Sequence, residues 1–516
     1  MRKSNMLLIL FVLMTCFSAV ADDMLIMESR SFRSTILGQE VSFSVCLPED
    51  YYETNANYPV VYLLHGLGDD ETSWLEYGRI HQYAQEEVKS RAAIPMIFIM
   101  PDGYRNYYVN EYTNEFRYED MFTQELVPYI DSLFRTRNNS NGRALMGYSM
   151  GGFGAFSLHL RHPDIFGAAV PLSISVRTDE QYMTEDASGW DQQWGRLFGA
   201  AGMTGEVRLT SWYKEYSPFH ALKDLDTKTK KKLNLLIING DEEETLCRSN
   251  EELHLVMHKH SIPHEYRVVD GGHSFQVWRA ALPVALGFIS DFFDERQQAN
   301  IARSLINTPA KANAMMQPLE IESWELNVFL PYEYISGNRK YPVIYFTGPY
   351  LAEEQQFIAD VTNDLIKKNK VAPVVLIFLP ESSLLQLDVL LPAIEKRLRV
   401  REGKRMRALA GYAESAAPVL ERCAGGDFSS CLLLNGNLGM PIKLLGENVF
   451  SGNETRVFQV APDQGSSVEG NGMLHILLRE KNIRHEYRLV AGSDGFESLQ
   501  PVLEEVITYT INRFHR

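Results

Sequence analysis

The sequence predicts two tandem α/β domains, each a mostly parallel, doubly wound sheet with helices on both faces. Three observations predict it. Continuous apolar runs of strand length alternate with helical patterns along the first half, the signature of a parallel sheet buried on both sides. The same series of segments returns in the same order in the second half. The chain has 516 residues, more than one core ordinarily organises, since domains run on the order of 100–200 residues.

In the first half, "VSFSVCLP" (Val41 to Pro48) alternates as a half-buried strand does. "YPVVYLLHG" (Tyr58 to Gly66) and "PMIFIMPDG" (Pro95 to Gly103) are continuous apolar runs that end in turn signals. "RALMGYS" (Arg143 to Ser149) is a short strand entering a turn, with a helical pattern after it. "AAVPLS", "KLNLLIING" and "HEYRVV" complete the set. In the second half "FLPYEYISGNRKYPVIYFT" repeats "CLPEDYYETNANYPVVYLL", and "APVVLIFLP" repeats "IPMIFIMP". "RALAGYA" likewise repeats "RALMGYS", and "IRHEYRLVAGSDGF" repeats "IPHEYRVVDGGHSF". Collinear matches that include polar residues indicate a duplication of one large unit. The expected organisation is a signal segment at 1–21, a first domain at 22–300, a polar, alanine-rich linker at 301–317, and a smaller, degenerate copy at 318–516. The copy lacks the region around Val176 to His220, which in the first half carries Trp190, Trp194, Trp212 and Tyr213.

A formal charge of −16 argues against a nucleic-acid partner and against docking on anionic lipid, both of which need a basic face. Arg2 and Lys3, the apolar run Met6 to Met14 and the small-x-small site Ala19-Val20-Ala21 read as a secretion signal. The run is too short to span a bilayer, so the expected location is secreted or periplasmic without membrane insertion. Lipid modification at Cys16 is the alternative. Cys46, Cys247, Cys423 and Cys431 are too few and scattered for a disulfide framework. Cys423 with Cys431 is one pairing to test against buried free thiols, and no Cys/His spacing suggests zinc.

Gly147-Tyr148-Ser149-Met150-Gly151 fits G-x-S-x-G between a strand and a helical pattern. Glycines there permit a sharp turn that presents the serine hydroxyl at the sheet's carboxyl edge. The N–H of Met150, at the helix start, is then placed to hold an oxyanion. The hydroxyl needs a base, and His273 in "DGGHSF" follows the last strand. The order serine, acid, histidine is that of α/β-hydrolases. The acid should follow "KLNLLIING", where Asp241, Glu242, Glu243 and Glu244 form one charge run. In α/β-hydrolases a loop such as the one in "LLHGLGDDETSW" gives the second oxyanion N–H, expected here from Leu67.

With "LLHGLGDDETSW", "MPDG", "GYSMGG" and "IPHEYRVVDGGHSFQVWRAALP", the first half resembles the esterase D family of α/β-hydrolases, feruloyl and acetyl xylan esterases among them. The resemblance covers about Phe32 to Phe293. It implies Ser149 as nucleophile and His273 as base, in a serine carboxylesterase that needs no cofactor or metal. Counting from Gly240 as the family's acid is spaced gives Glu243; counting back from Asn250 and His254 gives Glu244, and Asp241 stays an alternative. The implied substrates are acyl or feruloyl esters, on plant polysaccharide fragments given the secretion signal. Trp190, Trp194 and Trp212 are candidates to wall the substrate cleft, or else a buried cap core. In the copy, Ser149 becomes Ala413, His273 becomes Asp494, and "LHGLGDD" becomes "TGPYLAE". The copy is therefore expected to be a pseudoenzyme. The alternatives to an esterase are a glycan-binding scaffold and an acyltransferase using the same residues.

Overall fold

The computed structural model describes residues 24–294, 316–331, 334, 338–439 and 455–514. The expected signal segment, Cys16 and nearly all of the expected linker lie outside the described residues. The first half contributes β1 (Leu25–Arg33), β2 (Glu40–Leu47), β3 (Val60–Leu64), β4 (Ile97–Pro101), β5 (Arg143–Tyr148), β6 (Ala168–Leu172), β7 (Leu236–Gly240) and β8 (Glu265–Val269). They lie side by side as β1-β2-β4-β3-β5-β6-β7-β8. Pairings of β2 are antiparallel, and those from β4 through β8 are parallel.

Every residue of β3 to β7 is buried, which is why these strands read as unbroken apolar runs rather than alternations. One face is covered by the helices Ile80–Lys89 and Phe275–Phe293. The other is covered by the helices Met150–Arg161 and Thr245–Lys259. This is the α/β-hydrolase arrangement that the sequence predicts.

The second half repeats the order strand for strand. Its elements are β9 (Met316–Ile321), β10 (Trp324–Phe329), β11 (Val343–Thr347), β12 (Val375–Leu379), β13 (Arg407–Tyr412), β14 (Ser430–Leu434), β15 (Arg456–Pro462) and β16 (His485–Val490). β9 begins at Met316, so the second unit starts two residues inside the expected linker. Cys46, Cys247, Cys423 and Cys431 are all buried as thiols, and none of them forms a disulfide.

The sequence reading expects two sheets; the structure has one. β8 and β16 pair antiparallel, and the 16 strands run as a single sheet. The paired residues are Val268 and Leu489, which occupy the same position in "HEYRVV" and "HEYRLV". A local twofold axis therefore passes through this pair. The helices Thr245–Lys259 and Val468–Glu480 meet across the same axis.

Polar contacts obey the symmetry. Arg488 Nη1 donates to Asp241 Oδ2 at 2.6 Å, while Arg267 Nη1 donates to Asp463 Oδ2. Tyr487 N reaches Asp241 Oδ2 at 3.1 Å, and Tyr266 N reaches Asp463 Oδ2 at 3.4 Å. Each half also keeps a buried imidazole pair at 2.8 Å, His254–His264 in one and His475–His485 in the other.

Candidate active site

Ser149 sits between β5 and the helix Met150–Arg161 with φ 57° and ψ −117°, a region that non-glycine residues enter only when the surroundings enforce it. Those surroundings are backbone in close approach. A Cβ at Gly147 would lie 2.2 Å from the Gly151 carbonyl oxygen, and one at Gly151 would lie 2.1 Å from that of Leu64. Only glycine fits at either place. Ser149 N donates to Leu172 O at 2.9 Å, and Ser175 N donates to Ser149 O at 3.1 Å. The turn is thus clamped from the neighbouring strand.

His273 lies on the loop after β8, open to solvent, with Nε2 2.9 Å from Ser149 Oγ. Its Nδ1 is 2.9 Å from Glu243 Oε2. Trp278 meets the imidazole edge-to-face, with ring centres 5.1 Å apart. Glu243 is buried, and its other oxygen accepts from Gly240 N at 2.9 Å and from the Ser173 hydroxyl. Ser173 in turn accepts from Trp278 Nε1 at 2.8 Å. Every carboxylate oxygen of Glu243 thus has a donor, and the acid is fixed before any substrate arrives.

The other acid candidates go elsewhere. Glu244 adopts φ 45° and is exposed. Asp241 is buried against the second half, where it binds Arg488 and Tyr487 N. Its role is to join the halves, and the charge run alone gave no sign of that.

Leu67 lies half-buried on the loop after β3, beside the elbow: a Cβ at Gly66 would come within 2.6 Å of the Tyr148 ring. Met150 opens its helix, so its N–H has no intrahelical partner. The sequence reading missed His65. This buried imidazole accepts from Gly103 N at 2.7 Å through Nε2 and lies 2.8 Å from Gly66 O through Nδ1. It ties the Leu67 loop to the "MPDG" turn. The signal was present as the histidine of "LLHG", but nothing local says what it bonds.

The tryptophans are corrected in part. Trp190 and Trp194 are 0% and 1% exposed. They pack with Tyr182, Phe198 and Tyr213 as the core of a small cap, and neither presents a face to a cleft. Large aromatic area drives such burial. Trp212 is half-buried and donates from Nε1 to Asn110 O at 3.0 Å. Tyr107 Oη is 3.1 Å from Ser175 Oγ, and it also accepts from Gln193 of the cap.

The cap is tied to the elbow helix through Glu119. This buried carboxylate accepts from Arg161 at 2.8 Å, His162 at 2.6 Å and Tyr216 at 2.5 Å. Burial raises its pKa, but these three donors outweigh burial and hold it at about 2.

Asp241, Asp270 and Glu486 bring three carboxylates together, but the Arg488 guanidinium already lies among them. Within reach of Ser149 lie the imidazole of His273, oriented by Glu243, and the N–H groups at the start of the helix Met150–Arg161.

In the second half Ala413 keeps φ 53° at the place of Ser149. Gly465 stands two residues after Asp463, as Glu243 stands two after Asp241. Asp494, at the place of His273, turns onto that loop instead. It accepts from Ser466 N at 2.7 Å, from Ser466 Oγ at 2.8 Å and from the Ser467 hydroxyl. Burial raises its pKa, and the serine and backbone donors overcome this and keep it below the ordinary carboxylate value.

The family model described as "Putative esterase" matches residues 34–289. An esterase of Mycobacterium tuberculosis is 26% identical over 264 residues, covering 48% of this chain and 55% of that protein. The chain thus spans about half the length of that curated relative. A protein of Xylanibacter ruminicola named endo-1,4-beta-xylanase/feruloyl esterase is 32% identical over 148 residues, or 27% of this chain and 20% of that one. Among solved structures, a ferulic acid esterase is 26% identical with a TM-score of 0.45, covering 52% of this chain and 99% of its own.

Proposed function

Residues 34–289 belong to the esterase family, and from that premise we propose that the protein is a serine carboxylesterase with one working site. The observation that carries the reading is the continuous chain Ser149 Oγ to His273 to Glu243, with both links at 2.9 Å. His273 Nε2 takes the hydroxyl proton as Ser149 Oγ attacks the ester carbonyl. The oxyanion is held by the N–H groups of Leu67 and Met150. Glu243 holds the imidazole in the tautomer that accepts at Nε2 and stabilises the imidazolium. The alcohol leaves with the proton from His273. Water, deprotonated by the same nitrogen, then attacks the acyl-enzyme. The carboxylic acid departs as Ser149 regains its proton.

The proposed substrates are acyl or feruloyl esters on polysaccharide fragments, met outside the inner membrane. Two observations favour them. The basic, apolar and small-residue pattern of residues 1–21 reads as a secretion signal. A relative that combines feruloyl esterase with xylanase in its name matches this chain at 32% identity over 148 residues. The test is hydrolysis of p-nitrophenyl acetate and methyl ferulate by wild type and by Ser149→Ala. Turnover of both esters that vanishes with the serine is expected. Undiminished turnover in the variant would remove Ser149 from the mechanism. Turnover of acetate alone would remove the feruloyl assignment.

A further inference from the structure

We propose that Arg488, on the half that lacks a triad, is a positioning residue for the His273–Glu243 pair; the proposal rests on the esterase reading above. Asp241 is the link. It lies two residues before Glu243, and its Oδ1 accepts from Gly271 N at 3.1 Å, two residues before His273. Around it the acid loop and the base loop are stitched together. Asp241 N donates to Val269 O and Glu242 N to Gly271 O, each at 2.9 Å. The other carboxylate oxygen, Oδ2, belongs to the second half, which supplies both of its donors, Arg488 Nη1 and Tyr487 N.

Arg488 is itself buried and held on its remaining sides. Glu505 takes Nε at 2.7 Å, Glu486 takes Nη2 at 2.9 Å, and the Tyr487 carbonyl takes Nη1 at 2.9 Å. Removing the guanidinium leaves a buried carboxylate without its cation, which is costly enough to force rearrangement. The group nearest to respond is the Gly271 N–H, and the loop that moves with it carries His273. A shift of about 1 Å in a catalytic group costs on the order of 100-fold in rate.

The twofold axis provides an internal control. Arg267 makes the mirror bridge to Asp463, whose Oδ1 accepts from Gly492 N at 2.9 Å. That bridge steadies the loops of Gly465 and Asp494, where no triad stands. Arg488→Gln and Arg267→Gln therefore remove equivalent contacts from the same joint and differ in which loops they release.

The experiment is steady-state hydrolysis of p-nitrophenyl acetate by the full chain, with thermal unfolding of each variant. Arg488→Gln is expected to lower kcat by about 10- to 100-fold with KM little changed. Arg267→Gln is expected to lower the Tm similarly and leave kcat within about twofold of wild type. If Arg488→Gln does not accumulate, Arg488→Lys keeps the charge without the planar fork and should show a smaller kcat loss in the same direction. Equal kcat losses in the two arginine variants, or none in either, would overturn the proposal while leaving the esterase reading intact. A wild type that turns over no ester would overturn both.

Discussion

The two elbows of this chain share a left-handed residue after a Gly-Tyr pair and differ in the side chain that residue carries. Ser149 and Ala413 hold φ angles of 57° and 53°, and each closes a strand onto a helix across a glycine whose Cβ would strike backbone. A non-glycine residue in this region costs on the order of 1–3 kcal/mol. In the second half no nucleophile uses that strain. The turn is thus maintained by the packing of strand on helix, because β13 must pass within the three residues of a 3-10 turn, Ala413–Ser415, into the helix Ala416–Ala424. The side chains differ instead: Glu243 corresponds to Gly465, and His273 corresponds to Asp494, whose carboxylate the serines of the Gly465 loop hold in its charged form. The fold can outlast the site because the two depend on different atoms.

The largest test of this contrast is at the nucleophile. Ser149→Ala should lower ester turnover by about 10⁴-fold or more, and adding Ala413→Ser should restore nothing. Recovery in the double variant would mean that the second half retains a usable base. Next in size is the acid. Glu243→Ala should cost about 10³- to 10⁴-fold in kcat, whereas Glu244→Ala should stay within about threefold in the same assay. A large loss at Glu244 would place the acid one residue later and undo the pairing of Glu243 with Gly465.

Smaller effects concern stability. Glu119→Gln should destabilise the first half by about 1–3 kcal/mol at neutral pH, since Arg161, His162 and Tyr216 lose a charged acceptor while Arg161 keeps its second partner, Glu215. With its pKa held at about 2 against an ordinary 4.5, Glu119 contributes stability that is present above pH 4.5 and lost as pH falls toward 2. The gap between wild type and variant in chemical denaturation should close over that range. Glu251 has the opposite sign. It is buried between the halves, where a Cβ on its counterpart Gly472 would lie 2.2 Å from Oε1. Burial raises its pKa to about 8. The wild type therefore loses stability as pH rises from 4.5 to 8. Glu251→Gln should gain on it by about 1–3 kcal/mol across that window and match it near pH 4.5. A flat difference would show that the carboxyl is already ionised at neutral pH.

Much of this was legible in the sequence because it is local or periodic. Unbroken apolar runs announced buried parallel strands, and the repeat of "HEYR" and "RAL-GY" announced the recurrence of the strand order in the second half. Gly147 and Gly151 flank Ser149 in a spacing that only a tight turn explains. The acid was narrowed to one charge run. The extra residue that made Glu244 a rival falls just before the helix Thr245–Lys259, where φ 45° at Glu244 absorbs it.

What escaped was long-range. No pattern in "GDEEE" says that Asp241 meets a guanidinium 247 positions away. Nor does aromatic content say whether Trp190 and Trp194 wall a cleft or fill a cap. Strand edges carry no mark of their partner either, so one continuous sheet reads from sequence as two.

The joint at Val268 and Leu489 has the geometry by which two identical subunits would associate, each residue facing its own equivalent. In such a homodimer every mutation strikes both sites at once, and losing a nucleophile means losing all activity. Written into one polypeptide, the same contact lets each half mutate alone. One copy can then give up its serine, acid and histidine and still complete the sheet edge of the other.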